Sequence, residues 1–138
     1  MRSMTSPSAA LDVGPVHLAW EPELRLARMS FRGPRAAVDE TEARVCVEAL
    51  QRWAGDEPFR LLVDCTGLRD AHAGWRAVFA DFFRRRGFDV RLAWFNMSPL
   101  ISIMVQMFVR ASAVKGRGFR TEEDARAWLE LPIEARRP

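Results

Sequence analysis

Residues that build metal centres and disulfide frameworks are scarce in this sequence. Of 138 residues, two are cysteine and two are histidine. Cys46, Cys65, His17 and His72 have neither the close pairing of a zinc site nor the dense spacing of a stapled secreted domain. Ordinary half-buried thiols are expected, with no metal and no other cofactor. Lysine is scarcer still: Lys115 is the only one, so a net charge of +3 and a pI near 9.6 rest on arginine. Basic surfaces gain affinity for nucleic acid by counterion release. Arginine alongside abundant alanine, however, reads as the codon bias of a GC-rich genome. The densest cluster, Arg84-Arg85-Arg86, reads as a helix's last turn, where the macrodipole favours cations. No nucleic-acid partner is expected.

Long hydrophobic runs are also missing. The 18 uncharged residues between Arg91 and Arg110 come nearest to a membrane span, but Asn96, Ser98 and Pro99 cut them. The remaining apolar helix falls well short of the roughly 20 residues a span needs. Met1 to Ala10 holds one arginine and no apolar stretch fit for a signal-peptide core. A cytoplasmic protein without a membrane span is expected. A Gly-rich phosphate loop of the Walker or dinucleotide type is absent as well.

What is present is a core: hydrophobic residues make up 49% of the chain, enough for one domain. The expected organisation is a loose N-terminal tail over residues 1–15, a domain over residues 16–131 and a short C-terminal tail over residues 132–138. Val16 to Trp20 and Leu24 to Phe31 read as an antiparallel strand pair joined through Glu21-Pro22-Glu23. Asp39 and Glu42 have capping-box spacing at the start of a helix that places Cys46, Leu50 and Trp53 on one face. Phe59 to Asp64 reads as a strand ending in an acid, turned by Cys65-Thr66-Gly67. Trp75, Val78, Phe79, Phe82 and Phe83 then follow the spacing of an amphipathic helix. Leu92 to Phe95 is a strand apolar on both faces, as buried parallel strands are. Ser98-Pro99 starts a helix running to about Arg110. Ala113 to Phe119 is a weaker strand, and Thr121-Glu-Glu-Asp124 opens a last helix whose buried face holds Ala125, Trp128 and Leu129. The fold class is α/β: a mostly parallel five-stranded sheet with an antiparallel N-terminal strand, in the order ββαβαβαβα. Trp75, Trp94 and Trp128 are expected in the core, Trp20 and Trp53 partly exposed.

The Ser98–Arg110 helix carries the functional argument. Ser98, Ser102, Gln106 and Arg110 form one polar stripe, and nearly all the rest is apolar, with Ile103 and Val109 bordering the stripe. One sheet face cannot easily bury so much. Ile103, Val105, Met107 and Val109 are therefore candidate partner- or ligand-binding residues. In open α/β sheets ligands also gather at the carboxyl ends of parallel strands, which adds Asp64, Thr66, Gly67, Asn96 and Ser98; alternatively these only tie their own loops and cap the helix. Two catalytic readings fail on their own terms. Asp64, Ser98 and Lys115 suggest a phosphoreceiver, but the acidic pair such a site needs after an opening strand is missing. Cys65 and His72 lack any third group to orient them as nucleophile and base. No enzyme activity is expected.

The ββαβαβαβα order, Leu61-Leu-Val-Asp-Cys-Thr-Gly-Leu68, Leu92-Ala-Trp-Phe-Asn-Met-Ser-Pro-Leu100 and Gly118-Phe-Arg-Thr-Glu-Glu-Asp-Ala-Arg-Ala-Trp-Leu129 together resemble the STAS domains. These are the anti-sigma-factor antagonist-like (SpoIIAA-like) proteins, and the likeness is greatest to their SEC14-like bacterial branch. The resemblance implies a non-catalytic module that docks on a regulatory protein or a second copy of itself or, as the rival role, carries a lipid-like ligand. In signalling members a Ser or Thr opening the helix after the Asp-ended strand is phosphorylated. Here Arg69-Asp-Ala-His-Ala-Gly74 holds no hydroxyl, so no phosphorylation switch is expected.

Overall fold

The computed structural model describes residues 9–131. The chain begins with β1 (Ala9–Val13), β2 (Val16–Glu21), β3 (Leu26–Phe31) and a short β4 (Ala36–Val38), followed by α1 (Glu40–Ala54). Next come β5 (Phe59–Asp64), β6 (Leu68–Ala71), α2 (Ala73–Arg86) and a single 3-10 turn (Gly87–Asp89). The remainder is β7 (Val90–Phe95), α3 (Pro99–Ser112), β8 (Lys115–Phe119) and α4 (Glu122–Leu129). A six-stranded mixed sheet runs β1-β2-β3-β5-β7-β8, and β4 pairs with β6 in a separate two-stranded sheet. β1, β2 and β3 are mutually antiparallel, whereas β3, β5, β7 and β8 are parallel.

The helices start where their sequences dictate. Asp39 and Glu42 close a reciprocal capping box on α1, Ser98 Oγ accepts the Ile101 N–H at 3.2 Å, and Thr121 Oγ1 accepts the Asp124 N–H at 3.2 Å. These bonds satisfy orphan donors of the first turn. α2 is the exception: His72, at its N-cap, makes no side-chain capping bond, and no acid occupies its first turn.

α1, α2 and α3 cover one face of the sheet, and α4 covers the other. On the three-helix side Leu61 and Val63 of β5, Leu92 and Trp94 of β7 and Phe79, Phe82 and Phe83 of α2 are buried together. On the other side Leu62, Ala93 and Phe95 meet Ala125 and Leu129. The alternation of a strand's side chains thus feeds two cores at once, which is why β5 and β7 read as unbroken apolar runs.

Three expectations are corrected. Part of the expected tail, Ala9–Val13, is a strand, so the main sheet has six strands instead of five. Ala9, Leu11 and Val13 pack against the core, while Asp12 lies opposite His17 in the register and accepts its hydrogen bond at 2.7 Å. That bond holds the Asp12 carboxyl below its ordinary range, with the Arg32 cation acting in the same direction. Residues 1–8 and 132–138 of the expected tails lie outside the described residues. The second correction is the β4–β6 sheet, formed by segments for which no strand was expected, which changes the element order from the simple ββαβαβαβα. The third is Trp20, which is buried, its ring stacked 6.4 Å from the half-buried Trp53.

Candidate functional site

α2 and α3 do not close completely over the sheet. Between them and β3, β5 and β7 lies a cavity of about 70 Å³. Leu61, Val63, Leu92 and Trp94 form its floor, Trp75, Phe79 and Phe83 of α2 one wall, and Ile101, Met104, Val105 and Phe108 of α3 the other. Every lining residue is apolar except Arg76. About 10–15 Å³ of such space accommodates one water, but a water also needs two to four polar partners, which this lining does not supply. Such a lining favours an apolar guest over water. Phe31, Trp75, Arg76, Met104 and Phe108 are lining residues that solvent still reaches.

The candidate residues at the carboxyl ends of the strands do come together, as a hydrogen-bonded knot. Asp64 Oδ1 accepts from the Thr66 N–H at 3.0 Å and from Thr66 Oγ1 at 2.7 Å. Asn96 Nδ2 donates to Asp64 Oδ1 at 3.3 Å and to Thr66 Oγ1 at 3.1 Å, tying the end of β7 to the end of β5. Asn96 adopts a left-handed φ of 59° to do so, a conformation that asparagine tolerates better than most residues. Gly67 faces the other way: a Cβ there would collide with the Gly33 carbonyl oxygen, so this turn packs on the β3–β4 loop. The groove beside the knot is lined by Thr66, Asn96, Ser98, Ser102 and Arg120. The polar contacts described within it belong to turns and a helix cap.

No family model, curated protein or solved structure matches the chain. The chemistry of the site therefore rests on its own residues.

Those on α3 divide by face. Leu100, Ile103 and Met107 are 57%, 56% and 62% exposed, an apolar stripe turned outward. Val105 is buried and lines the cavity, on the ligand side of its two expected roles and not the partner side, and Val109 is half-buried against the core. Helical spacing separates them: positions 100, 103 and 107 share one side of the cylinder, 101 and 105 the opposite one.

The two catalytic arrangements rejected from the sequence are also disfavoured by position. Lys115 pairs in register with Arg91 at the amino end of β8, whereas Asp64 pairs with Phe95 at the carboxyl end of β5, so lysine and acid sit at opposite edges of the sheet. Cys65 is buried, and loss of solvent pushes its thiol up to about 12, with the neighbouring Asp64 carboxylate adding to the shift. A thiol so protonated at neutral pH is a poor nucleophile. The His72 Nδ1 atom lies 3.3 Å from Asp70. Among the described residues no cluster of three metal-ligating side chains occurs, and no helix is long and apolar enough to cross a membrane.

Sequence reading missed the one charged residue of the cavity. The signal available was Arg76 itself, a cation as fourth residue of a helix, at the end where the macrodipole disfavours positive charge.

Proposed function

We propose that this chain is a non-catalytic binding domain that holds a small hydrophobic, lipid-like molecule beneath α3. One observation carries the reading: the apolar cavity between α2, α3 and the sheet, whose lining offers a water few polar partners. Pockets for small molecules are concave, mostly apolar and supplied with few polar groups; this one shares that lining, though at about 70 Å³ it is smaller than most. The resemblance to STAS domains, and to their SEC14-like branch above all, supports the same assignment.

Native mass spectrometry of the purified chain tests it. A lipid-sized adduct that denaturation releases is the expected result. An adduct-free chain that also gives no binding heat with octan-1-ol would overturn the proposal.

A second reading has its own observation. The exposed Leu100, Ile103 and Met107 stripe favours docking on a regulatory protein or a second copy of the chain. Loss of association on replacing Ile103 by aspartate, with the fold intact, is the result that would put docking first.

A further inference from the structure

Arg76 is the one charged residue in an otherwise apolar lining, and it stands at the solvent-exposed rim of the cavity. Its Nε donates to the Ala71 carbonyl at 3.0 Å, which fixes the guanidinium against the end of β6. Among the described residues the two terminal nitrogens have no hydrogen-bonding or ion-pairing partner. The nearby Asp70 carboxylate lies against His72 instead, at 3.3 Å. A guanidinium held by Nε and free at both Nη atoms presents the planar pair of donors that matches a carboxylate or phosphate oxygen pair.

α2 starts at Ala73 with no side-chain cap and no acid in its own first turn, and the carboxylates beside that start come from other elements: Asp70 lies 3.3 Å from His72, and a Cβ on Gly74 would meet Asp39 Oδ1. Arg76 follows within that turn. The solvent-reached cavity wall thus combines a cation with an apolar interior a few side chains away.

We propose that the cavity takes an amphipathic monoanion, a molecule with a short apolar body and one anionic head group. The body lies among Trp75, Phe79, Val105 and Phe108, and the head sits on the Nη atoms of Arg76. A medium-chain carboxylate is the simplest member of this class. The inference rests on the hydrophobic-ligand reading and adds the charge of the ligand to it.

Desolvation makes the sign of the test decisive. Moving a carboxylate out of water is costly, so an apolar site without a cation prefers a neutral alcohol to the carboxylate of equal chain length. Calorimetric titration of octanoate and octan-1-ol into the whole chain at pH 7 compares the two. Octanoate should bind roughly ten-fold more tightly than octan-1-ol, the size of effect that charge-assisted hydrogen bonds bring. Arg76→Gln should abolish that preference and leave the affinity for octan-1-ol unchanged. Val105→Phe, which fills the cavity without touching Arg76, should weaken both ligands.

Three results would overturn the inference, and they are distinguishable. Equal or tighter binding of octan-1-ol by the unmodified chain, or a preference for octanoate that survives Arg76→Gln, removes the anionic head group and leaves the hydrophobic-ligand reading standing. Binding of neither ligand removes both.

Discussion

Phe108 meets the Trp94 ring edge-on, with centroids 6.1 Å apart and planes at 83°, and meets Phe83 in the same way at 6.1 Å and 81°. One side chain of α3 therefore touches both the sheet floor and the α2 wall of the cavity. Cutting it back tests whether this ring closes the space. Phe108→Ala should cost about 2 kcal/mol, below the range for fully buried phenylalanine because the ring is half-buried. Urea unfolding measures that. The enlarged cavity should also bind naphthalene, with a larger gain over the unmodified chain than any core substitution made away from the cavity.

Phe82 tests the amphipathic register of α2. It is 2% exposed and packs against Phe59 and Phe83. Phe82→Ala should cost about 3–5 kcal/mol in equilibrium unfolding, as large-to-small substitutions in a rigid core do. A cost near zero would mean that α2 turns another face inward.

The elements that were legible in the sequence are those whose stabilisation is local or periodic. The capping box of Asp39 and Glu42, the Ser98-Pro99 start and the Phe79, Phe82, Phe83 stripe state their structure within a few residues. β1 was missed because its alternation of Ala9, Leu11 and Val13 is carried partly by alanine, among serine and proline, and gains its meaning only from pairing with β2. β4 and β6 are three and four residues long and find each other across α1 and β5, a pairing that no local pattern encodes. The polar knot of Asp64, Thr66 and Asn96 was foreseeable from strand ends sharing one edge. The cavity's shape and lining were not, because it is a gap among side chains from several elements; the surplus apolar surface of α3 and the unusual position of Arg76 were its only hints.

Two neighbouring positions on α3 should respond oppositely to the same charge. Ile103 is 56% exposed and Val105 8%. Ile103→Asp should change stability by no more than about 0.5 kcal/mol, as surface substitutions do. Val105→Asp places an unpaired carboxylate among Trp94 and Ile101 and should cost at least about 4 kcal/mol or prevent folding. Urea unfolding of the pair checks the facing of the helix. Sedimentation velocity on Ile103→Asp at high protein concentration adds the functional part: if the stripe is a docking surface for a second copy, association seen in the unmodified chain should be lost.

Gly67 is constrained twice over. Its φ is +79°, and a Cβ would run into the Gly33 carbonyl oxygen while its own carbonyl accepts the Ala36 N–H at 2.8 Å. Gly67→Ala should cost about 1–3 kcal/mol from backbone strain alone. Because the affected bond anchors β4, hydrogen exchange should speed up first at the amides of residues 36–38.

The alkaline limb of stability should carry the signature of the two buried thiols. Cys46 and Cys65 are both pushed up to about 12 from an ordinary 9.0, in each case chiefly by burial and secondarily by a nearby carboxylate, Glu42 or Asp64. Between pH 9 and 12 the unfolded chain loses these protons while the folded chain keeps them. The unfolded state then binds fewer protons, so stability falls as pH rises through this window and is unaffected by the thiols below it. Urea midpoints measured across the window should decline, and Cys46→Ala combined with Cys65→Ala should flatten the decline. The same burial predicts that an aromatic disulfide reagent at pH 8 reacts with neither thiol of the native chain and with both once urea unfolds it. Rapid native labelling confined to Cys65 would mean that the knot of Asp64, Thr66 and Asn96 opens readily, exposing the cavity floor from the carboxyl edge of the sheet.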